Sequence, residues 1–256
     1  MPSRLHFLGL SFTVATGAEV QAAISQATPK TSLQIATLNP EFMLEAQTNP
    51  AFKRSLEQMP LCTIDGSGLF FFLRLWSRLK KQITPELYHG SDLVADLFTT
   101  YQNGEKAFFL LGGAPGISQQ AKQAIEKHYP GINIVGETDG GMIDKNNVRL
   151  DPNLKKQLEK VQPDIILVGF GAPKQELWMQ AAAKELTIPV MIGVGGTLDF
   201  YVKKRRAPLW MRSLHLEWLD RSLHEPGHWK RAFRAVVVFS LMASGWMLTH
   251  LSAKKA

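Results

Sequence analysis

Residues 164–176 read DIILVGFGAPKQE. Ile165 to Val168 stand in an unbroken apolar run, which suits a strand covered on both faces, whereas an alternating run would leave one face wet. Gly169 and Gly171 close the run, and Gln175 opens a stretch to Glu185 in which small and apolar residues recur at three-to-four spacing. Strand, glycine turn and covering helix together form the repeating unit of a parallel sheet.

The same unit recurs in both directions. Candidate strands are LHFLGL (5–10), LQIAT (33–37), LCTID (61–65), AFFLLGG (107–113), INIVGE (132–137) and VMIGVGG (190–196). Helix-like segments lie between them at Ala18 to Ala27, Asp92 to Tyr101, Ser118 to Tyr129 and Leu154 to Val161. The alternation predicts an α/β fold, a doubly wound and mostly parallel Rossmann-like sheet over residues 1–202. The opening MPSRLHFLGLSFTVATGAEV reads as a first strand, since it lacks a long apolar region followed by a small-residue cleavage site. From about Pro208 no strand candidate remains, so the boundary falls between Tyr201 and Pro208. Residues 203–256 then form a basic, helical C-terminal appendage.

Composition limits the function classes. A chain of 256 residues, 45% hydrophobic and 20% charged, buries a sizeable core and is not a disordered tail. Cys62 is the single cysteine, which excludes a disulfide framework and a thiolate-rich zinc site and makes the cytoplasm the default address. Residues 1–202 hold 18 Lys and Arg against 19 Asp and Glu, a sum of −1, and residues 203–256 hold 11 against 3, a sum of +8. A near-neutral body thus carries a basic tail, whose field attracts phosphates, anionic lipid or nucleic acid; a merely solvated basic face is the plainer alternative.

Three glycine-rich strand ends suggest a ligand: LLGGAPG (110–116), LVGFGAPKQE (167–176) and IGVGGTLDF (192–200). Glycine lets backbone amides approach a phosphate, and the helix that follows offers free N–H groups and its positive dipole end. Glycine at any one of these turns also serves tight packing, but three on one sheet argue for a nucleotide. None carries the GK[ST] of a Walker loop or a GxGxxG with its distal acid. The chain also has no Asp-x-Asp pair to clamp a divalent cation, so a departing diphosphate needs Arg, Lys or backbone amides.

TLNPEF (37–42) and TIDGSG (63–68) lie where two short apolar runs end. Asp65 at such an end faces the ligand crevice, with Thr37 and Asn39 on a neighbouring strand. A carboxylate beside neutral hydrogen-bonding groups suits a general base for a sugar hydroxyl. Helix capping by Asn39 ahead of Pro40, and by Asp65 ahead of the next helix, is the competing reading.

TLNPEF, IDGSG, HGSDL (89–93), LLGGAPG, VGFGAPKQE, GVGGTLDF (193–200), RAPLWMR (206–212), LEWLDR (216–221) and Glu225-Pro226 before a basic cluster occur in one order. In that order and spacing they resemble the WecG/TagA/CpsF glycosyltransferases over roughly residues 5–234. The resemblance implies a metal-independent, inverting transfer from a UDP-sugar to a polyprenyl-diphosphate-linked saccharide, by a peripheral protein at the cytoplasmic face of the membrane, with no cofactor. It implies Asp65 as catalytic base, with Thr37 and Asn39 lining the sugar pocket. Gly112, Gly113, Gly169, Gly171, Gln175, Glu176 and Asp199 fall on its nucleotide-binding loops. Arg206, Arg221 and Arg231 match arginines of its C-terminal appendage, where they meet the diphosphate and the acceptor. His228 stands where the family usually has a second arginine, and Leu87, Tyr88 and His89 replace its common Arg-Val-Thr type.

Two other classes compete: an NAD- or SAM-type Rossmann enzyme, weakened by the missing acid, and a nucleic-acid binder using Trp210, Trp218 and Trp229 among the tail's cations. Trp beside Arg equally suits a membrane interface, and the enzyme reading expects no nucleic acid. AVVVFSLMASGWMLTHL (235–251) has no Asp, Glu, Lys or Arg. As a helix it spans about 26 Å at roughly 1.5 Å per residue, which leaves a short span, an interfacial helix or a helix packed on the body. The flanking cations favour an interfacial helix on an anionic membrane surface. Association with further copies of the chain stays open.

Overall fold

The computed structural model describes residues 2–30, 32–141, 143–144, 148–203, 211 and 233–252. Its strands are β1 (Ser3–Phe7), β2 (Leu10–Val14), β3 (Leu33–Leu38), β4 (Leu61–Ile64), β5 (Ala107–Gly112), β6 (Asn133–Thr138), β7 (Ile165–Gly169) and β8 (Val190–Gly193). They form one sheet in the order β1-β2-β4-β3-β8-β7-β5-β6. β1 is antiparallel to β2 and every other pairing is parallel. The chain is an α/β protein with a doubly wound, mostly parallel sheet.

The opening corrects one expectation. LHFLGL is not one strand: Leu8 and Gly9, at φ 53° and 71°, turn the chain between β1 and β2. Positive φ at both central residues matches the twist of a two-residue hairpin. Apolar residues on both sides of Gly9 hid that turn.

Helices cover both faces. α1 (Gly17–Gln26), α5 (Gly90–Thr100), α6 (Ile117–His128) and α9 (Thr197–Lys203) lie on one side. α2 (Pro40–Thr48), α3 (Pro50–Gln58), α4 (Ser67–Lys80), α7 (Pro152–Val161) and α8 (Lys174–Ala182) lie on the other. Successive strand residues feed opposite cores, Phe108 and Leu110 into one, Phe109 and Leu111 into the other, which is why these strands read as continuous apolar runs. Local chemistry fixes the helix starts. Thr16 and Glu19 form a reciprocal capping box on α1. Asn39-Pro40, Asn49-Pro50 and Asp151-Pro152 each pair a side-chain cap with a proline whose missing N–H costs nothing at that position.

Near the C-terminus a π-helical turn (Arg234–Val238) runs into α10 (Phe239–Ser252). Phe239, Ala243 and Met247, one face at four-residue spacing, are buried in the core shared with α2 and α4. The ring of Trp246 meets those of Phe7 at 5.2 Å and Trp76 at 4.7 Å. Leu241 and Leu248 on the other side stay 71% and 68% exposed. This helix therefore packs on the body with one face and leaves an apolar face outward.

Candidate active site

The parallel strands end along one edge of the sheet. Thr37 pairs with Thr63 and Leu38 with Ile64 between β3 and β4. Gly193 of β8 lies between Ala36 of β3 and Val168 of β7, and Gly112 of β5 faces Gly169. Every glycine loop noted in the sequence, together with Thr37, Asn39 and Asp65, therefore reaches the edge where such sheets bind ligands.

Asp65 follows the last residue of β4, and its backbone N–H donates to Leu38 O at 2.7 Å. A parallel bridge between Ile64 and Leu87 brings the start of α5 alongside. Asp65 Oδ1 accepts from Gly90 N at 3.0 Å, and His89 Nδ1 lies 3.1 Å from Oδ1 and 2.7 Å from the Asp65 carbonyl oxygen. A carbonyl only accepts, so Nδ1 carries the proton. The carboxylate thus caps α5, where the helix dipole favours negative charge, and not α4, whose Gly66 cap has no side chain. Oδ2 receives no hydrogen bond among the described residues, and the Asp65 side chain is 32% exposed. Capping and catalytic availability coexist because they use different oxygens.

Asn39 also divides its groups. Its Oδ1 accepts from Glu41 N at 2.9 Å and Phe42 N at 3.3 Å, capping α2, while Nδ2 makes no hydrogen bond among the described residues. Thr37 is buried, and its hydroxyl donates to Gly193 O at 2.9 Å, tying β3 to β8 beneath the crevice.

Gln175 holds two glycine loops together. Its Oε1 accepts from Gly171 N at 3.1 Å and from Gly195 N at 3.0 Å, and its Nε2 donates to Glu176 Oε1 at 2.7 Å. Both side chains are buried, so in this arrangement they shape the loops from below. Burial pushes the Glu176 carboxyl up to about 8, and its Oε2 has no hydrogen-bond partner among the described residues. Glu176 therefore holds its proton at neutral pH, the way a buried acid avoids an unpaired charge. Its nearness adds to burial in raising the Cys62 thiol.

The glycines differ in role. A Cβ on Gly112 would come within 2.6 Å of the Gly169 backbone, so that contact needs glycine for packing, and Gly113 N donates to Gly169 O at 3.2 Å. Gly171 and Gly195, at φ 72° and 51°, have open space where a Cβ would stand. Asp199 sits in the first turn of α9, partly exposed, just past the β8 loop. Arg206, Arg221 and Arg231, and residues 204–232 apart from Met211, lie outside the described residues. His89 is the site residue that sequence reasoning missed: it stood out as a departure from a pattern, and only the Ile64–Leu87 bridge brings it to Asp65.

A carboxylate with one anchored oxygen and one that is unpaired among the described residues, beside glycine loops at the C-terminal ends of parallel strands, is an arrangement found in α/β enzymes that carry a ligand at the sheet edge. The chain belongs to the glycosyl transferase WecG/TagA/CpsF family, whose model matches residues 5–253. It is similar to the N-acetylglucosaminyldiphosphoundecaprenol N-acetyl-beta-D-mannosaminyltransferase of Staphylococcus aureus strain MRSA252, 32% identical over 204 residues, 79% of this chain and 75% of the relative. The enzyme of the same name from strain MW2 is 31% identical over the same shares. The protein is a glycosyltransferase.

Proposed function

We propose that this enzyme transfers a sugar from a UDP-sugar, with inversion, to a polyprenyl-diphosphate-linked saccharide used in bacterial surface-polysaccharide assembly. It works as a peripheral protein at the cytoplasmic membrane face. The reaction for which the relatives are named makes N-acetylmannosamine the first donor sugar to test, with N-acetylglucosaminyl diphosphoundecaprenol as the acceptor type.

The observation that carries this reading is the division of labour in the Asp65 carboxylate. Oδ1 is fixed by Gly90 N–H and His89 Nδ1–H, so Oδ2 is left to take the proton of the acceptor hydroxyl. The resulting oxygen attacks the anomeric carbon on the side opposite UDP. A C–O bond forms there as the bond to the UDP oxygen breaks, and UDP leaves with the electron pair. Asn39 Nδ2, unpaired among the described residues, supports a role in orienting a sugar hydroxyl. The backbone of the Gly171 and Gly195 loops, set by Gln175, supports the nucleotide side.

Charge at the departing diphosphate comes, in this reading, from Arg206, Arg221 and Arg231, within a segment of net +8. The described residues bring together no three His, Cys, Asp or Glu side chains able to hold a metal. A panel of UDP-sugars with a short-chain polyprenyl diphosphate GlcNAc, read by mass spectrometry of the lipid product, tests the reaction. Glycosylated lipid should form with one UDP-sugar and persist in EDTA. No product from any UDP-sugar overturns the reading, and activity that chelation abolishes and Mg²⁺ or Mn²⁺ restores overturns metal independence.

A further inference from the structure

α4 carries an exposed apolar row. Phe71, Leu75 and Leu79 recur at four-residue spacing with exposures of 61%, 40% and 48%, and Ile83, just past the helix, is 63% exposed. The opposite face of the helix is anchored normally, with Leu69, Leu73 and Trp76 buried. Such a row on a water-facing helix needs a reason, because scattered exposed hydrophobes are ordinary but an aligned set is not.

α10 lies beside this helix. Phe72 meets Phe239 edge-on at 5.6 Å, Trp76 meets Trp246 at 4.7 Å, and Lys80 Nζ donates to His250 O at 3.1 Å. The partners advance together along both helices, so the two run parallel. α10 adds its own outward residues, Leu241 and Leu248, and the segment Arg234–Leu251 is apolar enough for a membrane with only 17% of it buried. Residues 67–83 include Arg74, Arg78, Lys80 and Lys81 and no Asp or Glu. Apolar side chains flanked by cations alone match an anionic bilayer, with the hydrophobes at the acyl boundary and the cations at the phosphates.

We propose that α4 is a membrane-contact element in its own right, with Phe71, Leu75, Leu79 and Ile83 entering an anionic bilayer beside α10. The consequence for catalysis lies in the helix's other end. α4 starts at Ser67, two residues after Asp65, and Phe71 lies six residues beyond Asp65, at most about 13 Å away along the chain with two extended steps of up to about 3.6 Å and four helical ones of roughly 1.5 Å. The element that meets the lipid thus also fixes the depth of the carboxylate, near the layer where a lipid diphosphate sits. This consequence rests on the lipid-linked acceptor proposed above, but membrane contact by α4 is measurable without turnover.

The test is co-sedimentation of the full chain with phosphatidylcholine vesicles containing phosphatidylglycerol, wild type against Phe71→Ser/Leu75→Ser/Leu79→Ser. With α10 intact, the triple variant should partition at least roughly tenfold more weakly, since three partly buried apolar side chains are lost from the contact. In a separate Phe71→Trp variant, lipids brominated on the acyl chains should quench more emission than in wild type. Unchanged partition of the folded triple variant, or no added quenching, overturns the proposal. So does a wild-type dimer that the triple variant converts to monomer without loss of vesicle binding, which would assign the row to a second copy of the chain. Should the triple variant fail to fold, the quenching result alone decides.

Discussion

His89 donates its Nδ1 proton to Asp65, 2.7 Å from the backbone oxygen and 3.1 Å from Oδ1, while Gly90 N–H holds the same Oδ1 at 3.0 Å. Two donors from the start of one helix thus aim a carboxylate that belongs to a different strand end. Aiming is worth rate only if the free oxygen is the one that takes the proton.

That relationship sets the first prediction. In His89→Asn an amide N–H takes roughly the place of Nδ1–H, so kcat should stay within a few-fold of wild type. His89→Leu removes the donor and should lower kcat by about 10- to 100-fold with little change in donor KM, because a misaimed base costs rate more than binding. Steady-state kinetics decide it. A leucine variant with normal kcat, or an asparagine variant as poor as leucine, contradicts the positioning role.

Gln175→Leu should damage nucleotide binding without touching the carboxylate. The change removes the acceptor of two part-buried loop N–H groups and the donor to the buried Glu176 carboxyl at once, and a fully buried orphan costs on the order of 1–3 kcal/mol, a part-buried one less. UDP affinity by calorimetry should fall at least roughly tenfold, with Tm lower by about 5 °C or more. Unchanged affinity and Tm would mean that the loops hold themselves.

Glu176 gives stability a pH dependence of definite sign. Burial raises its carboxyl in the folded chain to about 8, from an ordinary value of 4.5. The folded state therefore binds the proton more tightly than the unfolded chain. This contribution is fully present below the unfolded value and is lost as pH rises through about 8. Glu176→Gln keeps the oxygen that accepts from Gln175 and removes the titration. Relative to the variant, wild type should lose Tm steadily between about pH 5 and pH 8. Parallel profiles would show that Glu176 is charged in the fold.

Phe239→Ala tests whether the terminal helix belongs to the core. Phe239 is fully buried against Phe72, and truncating a buried phenylalanine costs about 3–5 kcal/mol. A large drop in Tm is expected, and removal of the whole helix should expose Phe7 and Trp76 and lower solubility. A loss below about 1 kcal/mol would mean that the helix is only loosely held.

Much of this architecture is legible from the sequence because it follows from local chemistry. Ile165 to Val168 and Phe108 to Leu111 read as doubly covered strands since each residue goes to one core or the other. Glycine at strand ends marks the crevice. The β1–β2 hairpin is not legible, as its Leu8-Gly9 turn interrupts no apolar pattern. Neither is the use of single atoms: Asn39 and Asp65 each cap a helix with one group and leave another unpaired among the described residues, a split that depends on contacts 2 and 25 residues away. His89 reaches Asp65 only through a strand bridge that no spacing rule encodes.

Asp65→Asn is the most direct measurement of the central claim, because the amide keeps shape and hydrogen bonding at Oδ1 yet accepts no proton. With donor sugar and short-chain lipid acceptor, kcat should fall by about 10² to 10⁴ while UDP binding by calorimetry stays within a few-fold of wild type. Turnover near the wild-type rate would show that another group takes the proton and that the Asp65 carboxylate serves only to cap α5.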